Sequence, residues 1–582
     1  MTTRQNLPRP SAAWVTFLGR RIRRLFISMV VLVTISFFMI RLIPGDPIRN
    51  ALGINATEDL VSARRSEMGL DRPLWQQYVL FWKGLLTGDL GESFTLQQPV
   101  GAIISDRLPA TLELAVLALV TMMLFAVPIG LVAAALTRGG RRRGLELGYS
   151  SISGFVAAVP EFLIGVCLVY VFAISTHVFP VAGRGGVESY VLPVAALSIG
   201  SIAAMSRIVR AETLTVLDQD YIRTARSKRM SSSRLYLRHA LPNLLTSALT
   251  IGGLVLGGLI AGTVLVETIF AWPGLGQTIV ASIRGKDYPV AQGVIIVYGL
   301  IVLLVTLLVD IVLVLLDPRS ASRRIDMVEM SSTSRFRAVF RSPLGISAMV
   351  GVSVVVSLAA VGPLIWGEAS TATDLMALSA KPSSEHWFGT DAAGRDVLAR
   401  VMTAARLSVV MALCATAIGV VLGVLFGFLP AVLPVRTAAF VTSSTGIALA
   451  FPALLLTIVF SISIGANATG AVLAIGFAMV PAYARLAQTM SASVAGRDFI
   501  SAAAILGVSR TKILLRHILP NVREPLIVNA SISAGGSLIA FAGLSFLGLG
   551  VQAPDADWGR LLNEGLSKIY VNPATALAPA AA

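Results

Sequence analysis

The sequence is poor in the residues that most chemistry needs. Two cysteines, Cys167 and Cys414, stand in 582 residues, both inside apolar runs. They read as lipid-facing or helix-packing residues rather than as a disulfide or metal pair. The four histidines, His177, His239, His386 and His517, are scattered, and no His/Cys/carboxylate group has metal-ligand spacing. No Gly-x4-Gly-Lys-Ser/Thr phosphate loop occurs. Gly183-Arg-Gly-Gly186 lacks the lysine and the helix start. No ATP-binding site of that kind, and no cofactor, is expected on this chain. His386 and Asp391 are close in sequence, but no nucleophile stands beside them, so an intramembrane enzyme is not expected. Charge is scarce too: 13% of residues, where soluble domains carry about 25%.

What is abundant is apolar sequence, 55% of the chain, with a mean hydropathy of +0.79. Runs long enough to cross a bilayer lie near 25–43, 113–136, 152–178, 189–206, 244–266 and 290–316. A basic, serine-containing stretch follows, and the runs resume near 344–366, 405–429, 437–462, 468–488 and 524–548. The fold class is all-α, a polytopic membrane protein with about eleven transmembrane helices. The formal charge of +16 sits between spans rather than on a soluble domain, which argues against nucleic acid as a partner and for membrane lipid. Cytoplasmic loops collect positive charge. Arg20, Arg21, Arg23 and Arg24 place the N-terminus in the cytoplasm, and the run after them is too long for a signal-peptide core. The second, fourth and sixth loops are then cytoplasmic, and all three are basic. The segment Asp46 to Arg107 is external, mixed in charge, and the place in the first half for a small water-facing subdomain. Carboxylates within spans are few; Glu161, after Pro160, is one. Gly419, Gly423 and Gly427 recur every four residues, the spacing of close helix contact rather than of a pore filter.

The chain contains an internal repeat. Arg238-His-Ala-Leu-Pro-Asn243 returns as Arg516-His-Ile-Leu-Pro-Asn521. At the same offset, Asp220-Tyr-Ile-Arg-Thr-Ala225 returns as Asp498-Phe-Ile-Ser-Ala-Ala503. A positive-inside anchor explains the arginines but not matched hexapeptides. Two tandem membrane units explain both, and parallel repeats place a pathway at their interface.

The repeated blocks resemble the EAA loop of ABC importer permeases, and the match implies two tandem type I importer permease (MetI-like) units. In the second half Ser501, Ala502, Ala503, Gly507, Leu519 and Pro520 fall on that pattern; in the first, Arg223, Thr224, Ala225, Arg229, Leu241 and Pro242. In the family this loop is a short surface helix that couples to the ATPase, with small alanines on one face, a glycine turn, and a proline closing the unit. Two departures stand out: Arg223 or Ser501 replaces the usual Glu, and Arg229 replaces the first half's Gly, which makes that turn costlier and could reshape one docking site. The first half further resembles the B-type permease of the dipeptide/oligopeptide/nickel family, through Phe37 to Pro47, Glu267 to Gly276 and Leu316-Asp-Pro-Arg319. The second resembles the C-type partner, through His386 to Asp396, Leu544 to Gly550 and Asp557-Trp-Gly559. The implied organisation is a cytoplasmic segment 1–24, a B-type domain 25–316, a basic linker 317–343 and a C-type domain 344–582 whose last helix is expected to be missing. The resemblance implies a fused permease in a prokaryotic cytoplasmic membrane. Its partners would be two ATPase subunits or domains and an extracytoplasmic peptide-binding protein meeting the 46–107 and 367–404 loops. Nickel or glutathione as substrate, an ion-driven secondary transporter, and a non-transporting scaffold are the alternatives.

Overall fold

A backbone that enters a bilayer must satisfy every amide within itself, so isolated apolar runs can cross only as helices. The computed structural model describes residues 10–41, 47–53, 56–140, 142–231, 234–316, 343–449, 451 and 453–582, and among them no named strand occurs. The linker expected at 317–343 falls, but for its last residue, outside the described residues. The first half holds α1 (Pro10–Arg41), α2 (Pro47–Leu52), α3 (Glu58–Glu67), α4 (Leu74–Thr87), α5 (Val100–Thr137), α6 (Arg143–Ala158), α7 (Glu161–Leu168), α8 (Glu188–Leu217), α9 (Asp220–Ser227), α10 (Leu241–Ile269), α11 (Leu275–Arg284) and α12 (Tyr288–Leu316). The second holds α13 (Pro343–Thr371), α14 (Val397–Val432), α15 (Val435–Ala448), α16 (Ala453–Ile464), α17 (Ala468–Ala495), α18 (Asp498–Ile505), α19 (Arg510–Ile513), α20 (Leu519–Phe546), α21 (Trp558–Leu566) and α22 (Ala574–Ala581).

Each expected run is helical where described, but three do not cross as single straight rods. The chain bends by 90° between α6 and the segment beginning with α7, by 93° between α15 and α16, and by 47° within α10 between Ile260 and Gly262. At the first break Val159 is extended and Pro160 caps α7. Proline has no amide hydrogen to donate and disfavours a helical residue before it, which ends α6 there. Pro452 stands in the sequence between α15 and α16. Among the described residues seven helices are long and apolar enough to span alone, or ten if each bent pair counts once.

The two halves repeat one design. The long rods α5 and α14 pack along α8 and α17 respectively. Gly419, Gly423 and Gly427 lie in the α14–α17 seam. A methyl on Gly419 would sit 2.7 Å from Met479 Cβ, and one on Gly427 would sit 2.5 Å from Ala487 Cβ and 2.7 Å from the Ala484 carbonyl. Their spacing therefore reports packing. Gly130 meets the Ser206 carbonyl and Val209 in the same way between α5 and α8. Cys167 and Cys414 are free and exposed on the outer surface.

At the end opposite the arginine-rich loops, matched ties hold the short helices α11 and α21. Trp272 Nε1 donates to the Ala110 carbonyl, and Trp558 Nε1 to the Val401 carbonyl, each at 3.0 Å. Buried Glu267 accepts from the Thr111 hydroxyl at 2.7 Å and the Gln277 amide at 3.0 Å at the start of α11. Ser545 holds the position equivalent to Glu267 in the second repeat, and the carboxylate has moved to Asp557, which caps α21 through the Gly559 and Arg560 amides. Asp287 accepts the Phe94 and Thr95 amides; Asn572 instead donates to the Ala380 and Phe388 carbonyls. Both residues pin a loop against the end of a short-helix segment. Arg400, 5% exposed, bridges Asp391 and Glu564 and joins the 372–396 loop to α21. Burial alone would raise both carboxyls. At Asp391 the Arg395 amide and the Arg400 charge outweigh it, and at Glu564 the Arg400 charge and an Arg560 hydrogen bond do, so both lie below the ordinary range. His386 pairs with Asp396 at 2.8 Å, not with the nearby Asp391.

This packing is open to test at two positions. Gly427→Leu drives a side chain into the α17 backbone and destabilises the second half by about 1–3 kcal/mol, measured as denaturation of the purified chain. Asp557 titrates the other way from Asp391. Burial pushes its carboxyl up to about 7, against hydrogen bonds from Ser545, Arg560 and Gly559. The folded chain then holds a proton that the unfolded chain, with an aspartate pKa of about 4, releases. That stability is present below about pH 4 and is lost as pH rises through about 7. The thermal midpoint falls from about pH 5 to about pH 8, and Asp557→Asn flattens the slope.

Candidate functional site

The residues singled out in the sequence gather in two places, one per half, and the two share one geometry in matched register. In the first, α9 ends in a turn at Arg229, a π-helical turn follows over Leu235–Ala240, and α10 rises from Leu241. In the second, α18 ends in a turn at Gly507, α19 runs into a π-helical turn over Leu514–Ile518, and α20 rises from Leu519. Arg229 has φ of 55° and Gly507 φ of 78°, so both take the left-handed conformation. Arginine there costs about 1–2 kcal/mol that glycine does not. The turn is nevertheless closed by the same bond, Met230 amide to Ala225 carbonyl at 3.5 Å and Val508 amide to Ala503 carbonyl at 3.1 Å. This is the six-to-one bond of a Schellman helix end. The bond is longer at Arg229, but the turn is kept.

Packing explains why the turn survives. Val216, Ile222, Ala225, Leu235, Ala240 and Leu244 form one buried cluster in the first half. Val494, Ile500, Ala503, Ile513, Ile518 and Val522, their respective equivalents in the second repeat, form part of its counterpart. The last alanine of each block faces inward and seats the short helix on its own rod. The expected alanine face is thus divided: Ala225 and Ala503 are buried, while Arg223, Thr224, Ser501 and Ala502 are exposed. The prolines also serve differently from expectation. Pro242 and Pro520 occupy the first turn of α10 and α20 rather than ending a unit, a place where a missing amide hydrogen is harmless. Leu241 and Leu519, just before them, are half-buried.

The exposed faces differ. Ile505 and Leu506 are 86% and 82% exposed. At the same register the first loop presents Ser227 and Lys228, followed by Arg229, all exposed. One loop offers apolar surface and the other positive charge. Residue-by-residue matching to a motif concealed this contrast, because Ile505 and Leu506 lie outside the motif; reading both loops side by side at the fixed repeat offset would have found it.

Between the halves, the contacts made by Phe162, Leu265 and Arg284 lie on the side away from these loops. Leu265 on α10 and Gly543 on α20 occupy equivalent repeat positions, and a methyl on Gly543 would sit 3.4 Å from the Leu265 side chain. Phe162 stacks on Phe546 at 5.9 Å between centroids. Arg284, at the end of α11, donates to the Leu547 carbonyl. α7 touches α22, and α1 packs on α15 and α16 of the other half. The two loop clusters share no residue. Glu161, flagged in the sequence, starts α7 beside Gly262 of α10.

Comparison with known proteins agrees with this architecture. The family "Binding-protein-dependent transport system inner membrane component" matches twice, over residues 126–322 and 419–582, and its N-terminal companion matches residues 14–115. A Brucella suis protein provisionally named as a peptide transport system permease is 36% identical over 308 residues, covering 52% of this chain and 97% of its own. The dipeptide transport system permease DppB of Lactococcus lactis is 35% identical over 306 residues, 52% of this chain and 99% of its own. The glutathione transport system permease GsiC of Pectobacterium atrosepticum is 34% identical over 300 residues, 51% of this chain and 96% of its own. An entire relative thus fits in about half of this polypeptide, while the family's membrane unit occurs in each half. The chain belongs to the inner membrane components of binding-protein-dependent transport systems, the ABC permeases, as two fused subunits spanning the membrane many times.

Proposed function

We propose that this chain provides both membrane lobes of an ATP-driven importer of small peptides. The arginine-rich loops and the N-terminus lie in the cytoplasm. The loops at 218–240 and 496–518 dock two ATPase subunits or domains, which bind and hydrolyse the ATP. A soluble peptide-binding protein delivers cargo at the opposite face. The observation that carries this reading is the paired loop geometry: a short helix, a left-handed turn and a π-helical turn, each seated by a buried alanine on a rod that reaches the contact between the halves. Such a lever passes a push at the loop along α10 or α20 to Leu265 and Gly543. Contact on the far side with separate clusters on the loop side is the arrangement of an inward-facing state. Closure of the ATPase pair would draw the loops together and part the halves at Phe162 and Phe546.

Peptide is the cargo favoured by the names of the relatives, and glutathione, itself a small peptide, falls in the same chemical class. An ion-driven transporter would also use paired broken helices, and this chain has them, but membership in a binding-protein-dependent family favours ATP.

The test uses residues that support nothing inside the fold. Ile505→Asp with Leu506→Asp leaves the buried cluster untouched, because both side chains are exposed. Co-purification with the ATPase partners and ATP-dependent peptide uptake in vesicles both fall by an order of magnitude or more, while the thermal midpoint is unchanged. Retention of both activities would refute the docking role of the second loop.

A further inference from the structure

The segment expected to face water contains a helix that does not suit water. α4 has no buried residue. Trp75, Val79 and Leu86 are 66%, 57% and 81% exposed. Their spacing of four and seven residues puts them on one stripe of the helix. Lys83 lies beside that stripe and is exposed. The opposite face is committed to α1. Tyr78 meets Phe37 at 5.1 Å and stacks on Phe38 at 5.8 Å between centroids, and Phe81 lies 5.6 Å from Phe37. The Tyr78 hydroxyl hydrogen-bonds Thr34 at 2.8 Å, and Gln77 accepts from Arg41 Nε at 3.1 Å.

These ties fix the depth of α4. Thr34 precedes Arg41 by seven residues, about 10 Å down the rod at 1.5 Å per residue. α4 therefore lies beside the last turns of α1, within the apolar run 25–43 long enough to cross a bilayer, rather than above it. Its apolar stripe is continuous with the outward surface of α1, where Phe26 and Phe38 are 66% and 45% exposed. Tryptophan at the stripe's edge and a lysine that can reach upward are the composition of a helix lying in the interface of a bilayer.

We propose that α4 is an interfacial helix seated in the lipid leaflet at the end of the protein opposite the arginine-rich loops, with Trp75, Val79 and Leu86 among the acyl chains. Lipid is the occupant because the stripe extends a surface that already faces lipid. The segment between α1 and α5 is then moored to the membrane, which leaves the stripe closed to a soluble partner.

The test places single nitroxide labels at Trp75→Cys, Val79→Cys and Leu86→Cys in a Cys167→Ala/Cys414→Ala background. The full chain is reconstituted in phosphatidylethanolamine/phosphatidylglycerol vesicles, with Glu58→Cys as the water-facing control. Collision with oxygen exceeds collision with a water-soluble nickel chelate at the three stripe positions by several-fold, and the order reverses at position 58. Nickel access at the stripe equal to that at position 58 would overturn the proposal. So would nickel access that disappears only when a soluble binding protein is added, since the occupant would then be protein. A label-free measurement guards against perturbation by the probes. Lipids brominated near the glycerol backbone quench the native chain more than Trp75→Phe; equal quenching of the two would also overturn the proposal.

Discussion

Leu265 and Gly543 hold the same place in the two repeats, and a methyl on Gly543 would lie 3.4 Å from the Leu265 side chain. Such an approach of equivalent positions can lie only on or beside the axis that relates the two halves. That constraint organises the rest of the molecule. The rods that bear these residues, α10 and α20, begin at the two matched loops, so each loop is connected by one helical segment to the point where the halves meet. The broken segments α6–α7 and α15–α16 bend near this region, and α7 brings Phe162 against Phe546 beside the same point. A bend inside a membrane leaves amides and carbonyls without helical partners, and it is tolerated where neighbouring protein covers it.

Within this symmetry the chain is unequal in ways that a strict duplication would not be. A carboxylate caps each of the short helices α11 and α21, but from Glu267 on the preceding rod in one half and from Asp557 on the cap itself in the other. Asp287 accepts hydrogen bonds where Asn572 donates them. The loop turn is made by arginine in one half and glycine in the other. In each pair the geometry is retained while the chemistry that secures it changes, which is expected when backbone geometry is held by a buried cluster and the polar partners are free to vary. The exposed loop faces diverge most, because no packing constrains them.

Much of this was legible in the sequence. The apolar runs located the long helices, the glycine triplet located the α14–α17 seam, and the constant offset between the repeated hexapeptides located both loops. The exceptions have physical causes. Hydropathy registers length and apolarity but not direction, so the right-angle bends at Val159–Pro160 and between α15 and α16 were hidden inside continuous apolar runs. Charge counting does not register that Trp75, Val79 and Leu86 share one exposed stripe of α4, because the arginines and carboxylates of the 46–107 segment dominate its composition. Composition alone does not say which way an alanine points, and the inward turn of Ala225 and Ala503 emerged only from packing.

The central claim is that one polypeptide supplies both halves of a single pathway meeting at the pseudo-twofold axis. It is tested most directly by cross-linking Leu265→Cys to Gly543→Cys with a short bifunctional thiol reagent, in a background without Cys167 and Cys414. The expected product has the mass of one chain plus the linker, in native membranes as in detergent. A product consisting of two chains, with no cross-link inside either, would contradict the claim.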